Sequence, residues 1–207
     1  MIDVVKLKKE QIELARKVSL KDDFEEIKLV AGADQVDFNN NIISSIVVMD
    51  YKTMKVIEEQ YAVEKARISY IPGYLGYREV PSAIKAFHKL ENKPDIVLFD
   101  ANGILHPRKF GAACQFGLAV DVPTIGVAKN FTVGEKEKDF IKIDGEKRGV
   151  EVKTKEHSKP IYVSPGHRIS LKTSIEIVKN CLKGKKLPEP LFLAHKYSNK
   201  VKDTLRE

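Results

Sequence analysis

Hydrophobic and polar positions along the chain follow two periods, and the change from one to the other marks out the elements. From Leu7 to Leu20 apolar residues recur at helical spacing (Leu7, Ile12, Leu14, Ala15, Val18, Leu20), which predicts an opening amphipathic helix. Lys28 to Phe38, Asn41 to Asp50 and Met54 to Val63 are rich in β-branched residues. Turn signals at Asn39-Asn40-Asn41 and Tyr51-Lys52-Thr53 separate them, so short connections predict a three-stranded antiparallel meander. A Pro- and Gly-punctuated loop follows from Tyr70 to Tyr77. The next predicted helix has Pro81 in its first turn and Ile84, Phe87 and Leu90 on its apolar face.

Ile96 to Phe99 is wholly apolar and bounded by Pro94 and Asp100-Ala101-Asn102-Gly103, the signature of a short strand buried on both faces. A small-residue helix is predicted over Phe110 to Val120 and a second buried strand over Thr124 to Ala128. Three antiparallel strands, then helix, strand, helix, strand, is the element order of a ribonuclease-H-like α/β fold: a central mixed sheet flanked by helices. Beyond Asn130 the pattern predicts a hairpin around Asp144-Gly145 (Phe140 to Ile143, Gly149 to Lys153), a strand over Pro160 to Val163 and a helix over Ser170 to Leu182, capped by Ser170 or Ser174. From Lys183 the tail is basic and polar, and Pro188 and Pro190 argue against a continuous helix.

Composition narrows this picture modestly. At 207 residues the chain suits a single domain, expected over 1–207, with core enough to need no disulfides or structural metals. A formal charge of +7 suits a polyanionic partner without requiring one. Cys114 and Cys181 lie far apart with no ligand spacing, so both read as core residues. No stretch approaches the length of a membrane span, and the expectation is a cytoplasmic monomer without a membrane partner.

Candidate chemistry lies where acidic residues interrupt apolar runs. Asp34 falls in Leu29-Val30-Ala31-Gly32-Ala33-Asp34-Gln35-Val36 and shares the strand face of Val30 and Val36. A carboxylate there costs free energy unless paired, and a divalent cation would pair it. Asp100 directly follows Ile96 to Phe99, at the carboxyl end of a predicted parallel strand, where open α/β sheets bind ligands. Glu79 opens the predicted helix in Arg78-Glu79-Val80-Pro81. Each has an ordinary reading too: an edge-exposed Asp, a turn Asp, and a Glu offsetting a helix dipole. Together, three carboxylates could hold one or two ions for phosphodiester hydrolysis. Asp37, of opposite strand parity to Asp34, and Asp50, at a hairpin turn, are weaker candidates.

His106 could carry a proton or contact phosphate, and His195 lies in a late segment able to fold back over the carboxylates; either could equally be a structural polar group. Arg108, Lys109 and Lys129 would sit near such a site as phosphate contacts. Tyr70-Ile71-Pro72-Gly73-Tyr74 places two aromatics on a stiffened loop beside Glu79, suited to wedging into a base stack.

The chain resembles the endonuclease V family. The matching stretches are VAGAD (Val30 to Asp34), YIPGYLGYREVP (Tyr70 to Pro81), PDIVLFDANGILHPRKFG (Pro94 to Gly111), PTIGVAKN (Pro123 to Asn130), KPIYVSPGHRIS (Lys159 to Ser170) and LPEPLFLAHK (Leu187 to Lys196). The resemblance implies a ribonuclease-H-like nuclease dependent on Mg²⁺, with Mn²⁺ able to substitute. It implies Asp34, Glu79 and Asp100 as metal carboxylates, Lys129 and His195 as further catalytic residues, Tyr70, Ile71, Pro72 and Gly73 as the wedge, and His106 as a residue lining the lesion site. The implied reaction cuts the second phosphodiester bond 3′ to a deaminated purine in DNA, leaving 5′-phosphate and 3′-hydroxyl ends, for repair. Ser69 stands where many bacterial members have Pro, and Asp100-Ala101-Asn102-Gly103 where they have Gly-Gln-Gly after the aspartate. Asn102 and the REVP form are like those of animal members, which prefer inosine in RNA, so the alternative is an inosine-specific endoribonuclease. A non-catalytic nucleic-acid-binding domain is the third reading.

Overall fold

The computed structural model describes residues 3–206, so the first two positions and the last of the expected 1–207 domain lie outside the described residues. Helix α1 (Val4–Ala15) is followed by strands β1 (Leu29–Phe38), β2 (Asn41–Asp50) and β3 (Val56–Lys65), then α2 (Leu75–His88), β4 (Ile96–Phe99), α3 (Ala112–Val120) and β5 (Thr124–Ala128). A second antiparallel set follows, β6 (Glu135–Glu137), β7 (Phe140–Ile143), β8 (Glu146–Val152) and β9 (Ile161–His167), and the chain closes with α4 (Leu171–Asn180) and α5 (Glu189–Thr204). All nine strands join one sheet in the order β3-β2-β1-β4-β5-β9-β8-β7-β6. β1, β4 and β5 run parallel at its centre and the remaining pairings are antiparallel, as the ribonuclease-H-like reading requires.

Strand periodicity sorts the core into two layers. Val30, Val47, Met49, Ile96 and Leu98 face Ile177, Val178, Leu191 and Ala194 of α4 and α5. Their neighbours in sequence, Ala31, Ile46, Val48, Val97 and Phe99, face Val80, Ala83, Phe87, Ala113 and Phe116 of α2 and α3. Both cysteines are buried and unbridged, with thiols pushed up to about 12 by burial, as expected for inert core residues.

Five elements differ most from the expectation. α1 ends at Ala15, with Leu14, Ala15 and Val18 packed under Ile104, Phe110 and Cys114. α2 begins at Leu75 rather than near Pro81, so Pro81 lies inside the helix and Glu79 in its second turn. β9 continues to His167, and β6, three charged residues, carried no apolar signal at all. The largest difference is α5. Pro188 and Pro190 do not prevent a helix; they start one, Pro188 standing at the N-cap and Pro190 in the first turn, where a missing N–H costs nothing.

α5 lies close against β1 and β2, and small residues make this possible. A methyl group on Gly32 would come within 2.2 Å of the Pro190 backbone. The buried Ser45 hydroxyl donates to the Ala194 carbonyl at 2.7 Å and meets the Ser198 hydroxyl at 2.5 Å. Gly32→Ala should therefore destabilise the protein by about 1–3 kcal/mol through overpacking and lift α5 from β1. Urea unfolding checks this, with wild-type stability as the outcome that contradicts it.

Candidate active site

The parallel strands place the polar residues. Ala33 pairs with Phe99, so Asp34 and Asp100 are neighbours across β1 and β4, and the Asp100 amide donates to the Ala33 carbonyl at 3.0 Å. Lys129 follows β5, which lies beside β4. Asp34 is 1 % exposed, and its strand parity turns it toward α5, where His195 Nδ1 lies 3.2 Å from its Oδ2. The Lys129 ammonium bonds the Asp100 carboxylate and stands 3.5 Å from Asp34, bridging the two. Glu79, partly buried, approaches from α2.

The electrostatics of this group are set by burial and like charge. Glu79 is pushed up to about 8 by burial and by the charges of Asp100, Asp37 and Asp34. Asp100 is raised to about 7 by burial and by its hydrogen bond to Asp34. Asp34 shares that burial, yet bonds from His195 and Asp100 and the charge of Lys129 hold it below the usual carboxylate range. Its carboxylate in turn raises His195, while Lys129 is raised by Asp100 and Asp34 against its own burial. Without a further cation, the group keeps its charge low by holding protons on Asp100 and Glu79 near neutral pH. Among the described residues no three His, Cys, Asp or Glu side chains already enclose a metal position. The donor chemistry nevertheless suits a hard divalent ion, which takes a few carboxylate oxygens and retains waters.

A cavity of about 380 Å³ adjoins the group. Ala101 and Asn102, the residues after Asp100, line it, together with Tyr70, Pro72, Gly73 and the Leu105-His106-Pro107-Arg108 turn. Tyr70 is 67 % exposed and directly precedes a turn over Ile71 to Tyr74 with Pro72 and Gly73 at its centre. Gly73 closes that turn at φ +79°, where an added methyl would also come within 2.9 Å of the Arg108 guanidinium.

The Gly73 carbonyl receives three donors: Arg108 Nη2 at 2.7 Å, Gln11 Nε2 at 3.0 Å and His106 Nε2 at 3.1 Å. His106 Nδ1 accepts the Arg108 amide at 3.2 Å, which fixes a neutral ring with its proton on Nε2. Burial and the Arg108 charge accordingly lower His106 to about 4, leaving it a wall of the cavity rather than a proton carrier near neutral pH. Arg108 is likewise engaged, with Nε on Gln11 Oε1 at 2.5 Å and its guanidinium 4.5 Å from the Tyr74 ring centre. Lys109 pairs with Glu146 and Asp50 accepts from Thr53 within its own turn, so neither joins the carboxylate group, while Asp37 pairs with Arg78 and reaches the group only through its charge on Glu79.

Gln11 is the residue sequence reasoning missed. It is 2 % exposed on a helix that is otherwise mostly exposed. The signal was present: Leu7, Gln11, Leu14, Ala15 and Val18 form one helical stripe with a single polar member. Gln11→Ala removes one of the three donors and the partner of Arg108. Hydrogen exchange should quicken at Tyr74, whose amide bonds the Ile71 carbonyl at 3.0 Å, while the β1 and β4 amides keep their protection. Unchanged exchange at Tyr74 contradicts the clamp.

Residues 12–196 match the family model described as Endonuclease V. An Endonuclease V of Dictyoglomus turgidum is 40 % identical over 199 residues, covering 92 % of this chain and 87 % of that protein. The crystal structure of Endonuclease V from Bacillus subtilis superposes with a TM-score of 0.89 at 29 % identity, covering 100 % of this chain and 94 % of its own. Endonuclease V of Ciona intestinalis, in complex with a 24mer DNA containing an inosine followed by a ribo-adenosine, superposes with a TM-score of 0.87 at 28 % identity, covering 98 % of each chain. With the family model spanning most of its length and such relatives matching nearly all of it, the chain belongs to the endonuclease V family and is a nuclease.

Proposed function

We propose that this nuclease hydrolyses the second phosphodiester bond 3′ to a hypoxanthine-bearing nucleotide in DNA, leaving 5′-phosphate and 3′-hydroxyl ends, as a step of DNA repair. The observation that carries the reading is the continuity of two features: Asp100 belongs to the carboxylate group, and the next residues, Ala101 and Asn102, line the cavity. A base held in the cavity then brings a nearby phosphate to the carboxylates. The one unbroken sheet supports treating residues 1–207 as a single catalytic unit.

In this reading Asp34, Glu79 and Asp100 hold Mg²⁺, or Mn²⁺ in its place; their low charge without a cation supports the assignment. The ion, when bound, polarises the phosphate, lowers the pKa of the attacking water and stabilises the leaving oxygen. The chain's own groups do the rest. Lys129, already positioned between Asp34 and Asp100, supplies positive charge to the scissile phosphate. His195 orients the Asp34 carboxylate through Nδ1. Tyr70, on the exposed rim, fills the space left in the base stack, and the Gln11, His106 and Arg108 bonds to Gly73 keep that rim in place. Water oxygen bonds to phosphorus, the P–O3′ bond breaks, and the water proton passes to O3′.

A specific observation favours a second reading, cleavage of RNA at inosine. The Ciona intestinalis relative binds a strand in which a ribo-adenosine directly follows the inosine. A 2′-hydroxyl beside the scissile bond separates the two substrates.

End-labelled DNA and RNA strands of one sequence, each with a single inosine, should be nicked one nucleotide beyond the inosine in Mg²⁺, the faster strand identifying the substrate. Asp34→Ala should abolish the nick, and Lys129→Ala should slow single-turnover cleavage by roughly 10²–10³-fold, the usual cost of one oriented donor. Nicking by Asp34→Ala at the wild-type rate would defeat the assignment.

A further inference from the structure

The segment that leads from the carboxylate group to the cavity carries an exposed aromatic ring. Lys129 lies at one end, while Thr132 and Val133 line the cavity at the other. Phe131, between them, is 40 % exposed. Val133 packs with Leu105, Ala128, Ile141 and Tyr162, the Thr132 hydroxyl accepts from the Asn102 side-chain amide at 3.3 Å, and Lys129 pairs with Asp100, so the segment is held on both sides of Phe131. The ring itself rests on Tyr162, their centres 5.6 Å apart and their planes tilted by 45°. Lys136, ion-paired with Glu151, brings its ammonium to 5.2 Å from the Phe131 centre and 5.5 Å from that of Tyr162. Tyr162 is nearly buried and supports the ring from behind, leaving Phe131 a firm apolar surface beside positive charge.

We propose that Phe131 is a stacking platform for the nucleobase immediately 3′ of the base held in the cavity, on the strand that is cut. The inference rests on the proposed function, which sets the 3′ direction from cavity to carboxylates. A strand with one base in the cavity and its downstream phosphate at Lys129 passes over residues 130–132. Once the lesion base leaves the stack, both of its neighbours lose a stacking partner; Tyr70 enters the gap, and the exposed Phe131 ring meets the 3′ neighbour where it leaves the stack. Aromatic stacking accepts any base, so the platform holds the strand without reading its sequence. Tyr70 lines the cavity, Phe131 directly precedes the lining residue Thr132, and Lys136 adds positive charge beside the ring.

The test uses inosine strands with 2-aminopurine immediately 3′ of the inosine, bound in Ca²⁺ to limit cleavage, and the same strands with adenosine in place of inosine. Wild type should quench the probe and prefer the inosine strand. Phe131→Ala should lose the quenching and bind roughly 5- to 150-fold more weakly, the equivalent of about 1–3 kcal/mol per stacked base. Phe131→Trp should restore both binding and quenching, and Phe131→Leu, apolar but not aromatic, should not. Equal quenching and affinity in wild type and Phe131→Ala, with inosine preference intact, overturns the platform alone. Loss of inosine preference in the wild type overturns the proposed substrate and the platform with it.

Discussion

Three carboxylates in a space with little water form the constraint around which the rest of this molecule is arranged. Asp34 is almost fully buried, Glu79 is held well above the usual carboxylate range by burial and the charges of Asp100, Asp37 and Asp34, and Asp100 by burial and its hydrogen bond to Asp34. Such a group is unfavourable unless positive charge compensates it. The fold supplies part of that compensation with the Lys129 ammonium and His195, each from a different element. In the proposed function a divalent ion would meet the remaining demand for charge, so that instability without the ion and activity with it would share one cause. Family membership fits this account, because endonuclease V proteins are nucleases and phosphodiester hydrolysis is the chemistry that such a group serves.

The second organising feature is the Gly73 carbonyl. Its three donors come from two segments, Gln11 of α1 and His106 and Arg108 of the turn after β4, and Arg108 also lies against Tyr74. Behind them the buried Arg148 donates to the His106 carbonyl at 3.1 Å, tying the turn to the second half of the sheet. A loop that parts stacked bases, as proposed above, would work against a load, and a rim held by three bonds from two segments would resist it. The exposed Tyr70 ring is thereby presented by a firm base.

Much of this was legible in the sequence, for physical reasons that differ between residues. Asp34 and Asp100 stand out because each interrupts or ends an apolar run, and a carboxylate beside Val30 or Phe99 has to be explained. The strands β4 and β5 were readable to the residue, since a strand covered on both faces is apolar throughout. Glu79 was identified, but in the wrong turn of its helix: Pro81 resembles a first-turn proline, whereas packing of Val80, Ala83 and Phe87 on the sheet keeps the helix going back to Leu75. The prolines before α5 were weighed as breakers rather than starters, which hid the helix that carries His195. Gln11 and Phe131 were missed because their importance lies in what they meet across the fold. No local pattern reports that a glutamine will face a carbonyl 62 positions away.

The central claim is that the carboxylate group is under charge stress that a cation relieves, and stability against pH in the presence of a chelator tests it most directly. Glu79 and Asp100 have folded-state values of about 8 and 7 against ordinary values of 4.5 and 3.8, so the folded protein binds more protons than the unfolded chain across that window. Their contribution to stability therefore falls as pH rises from about 4 toward about 8. Below about pH 6.5 His106, lowered to about 4, works in the opposite sense, so the account predicts a thermal midpoint that declines above about pH 6.5, a shallower decline in Glu79→Gln, and a recovery by Mg²⁺ that is larger at the alkaline end. Identical pH profiles for wild type and Glu79→Gln, with no stabilisation by Mg²⁺ at any pH, would contradict it.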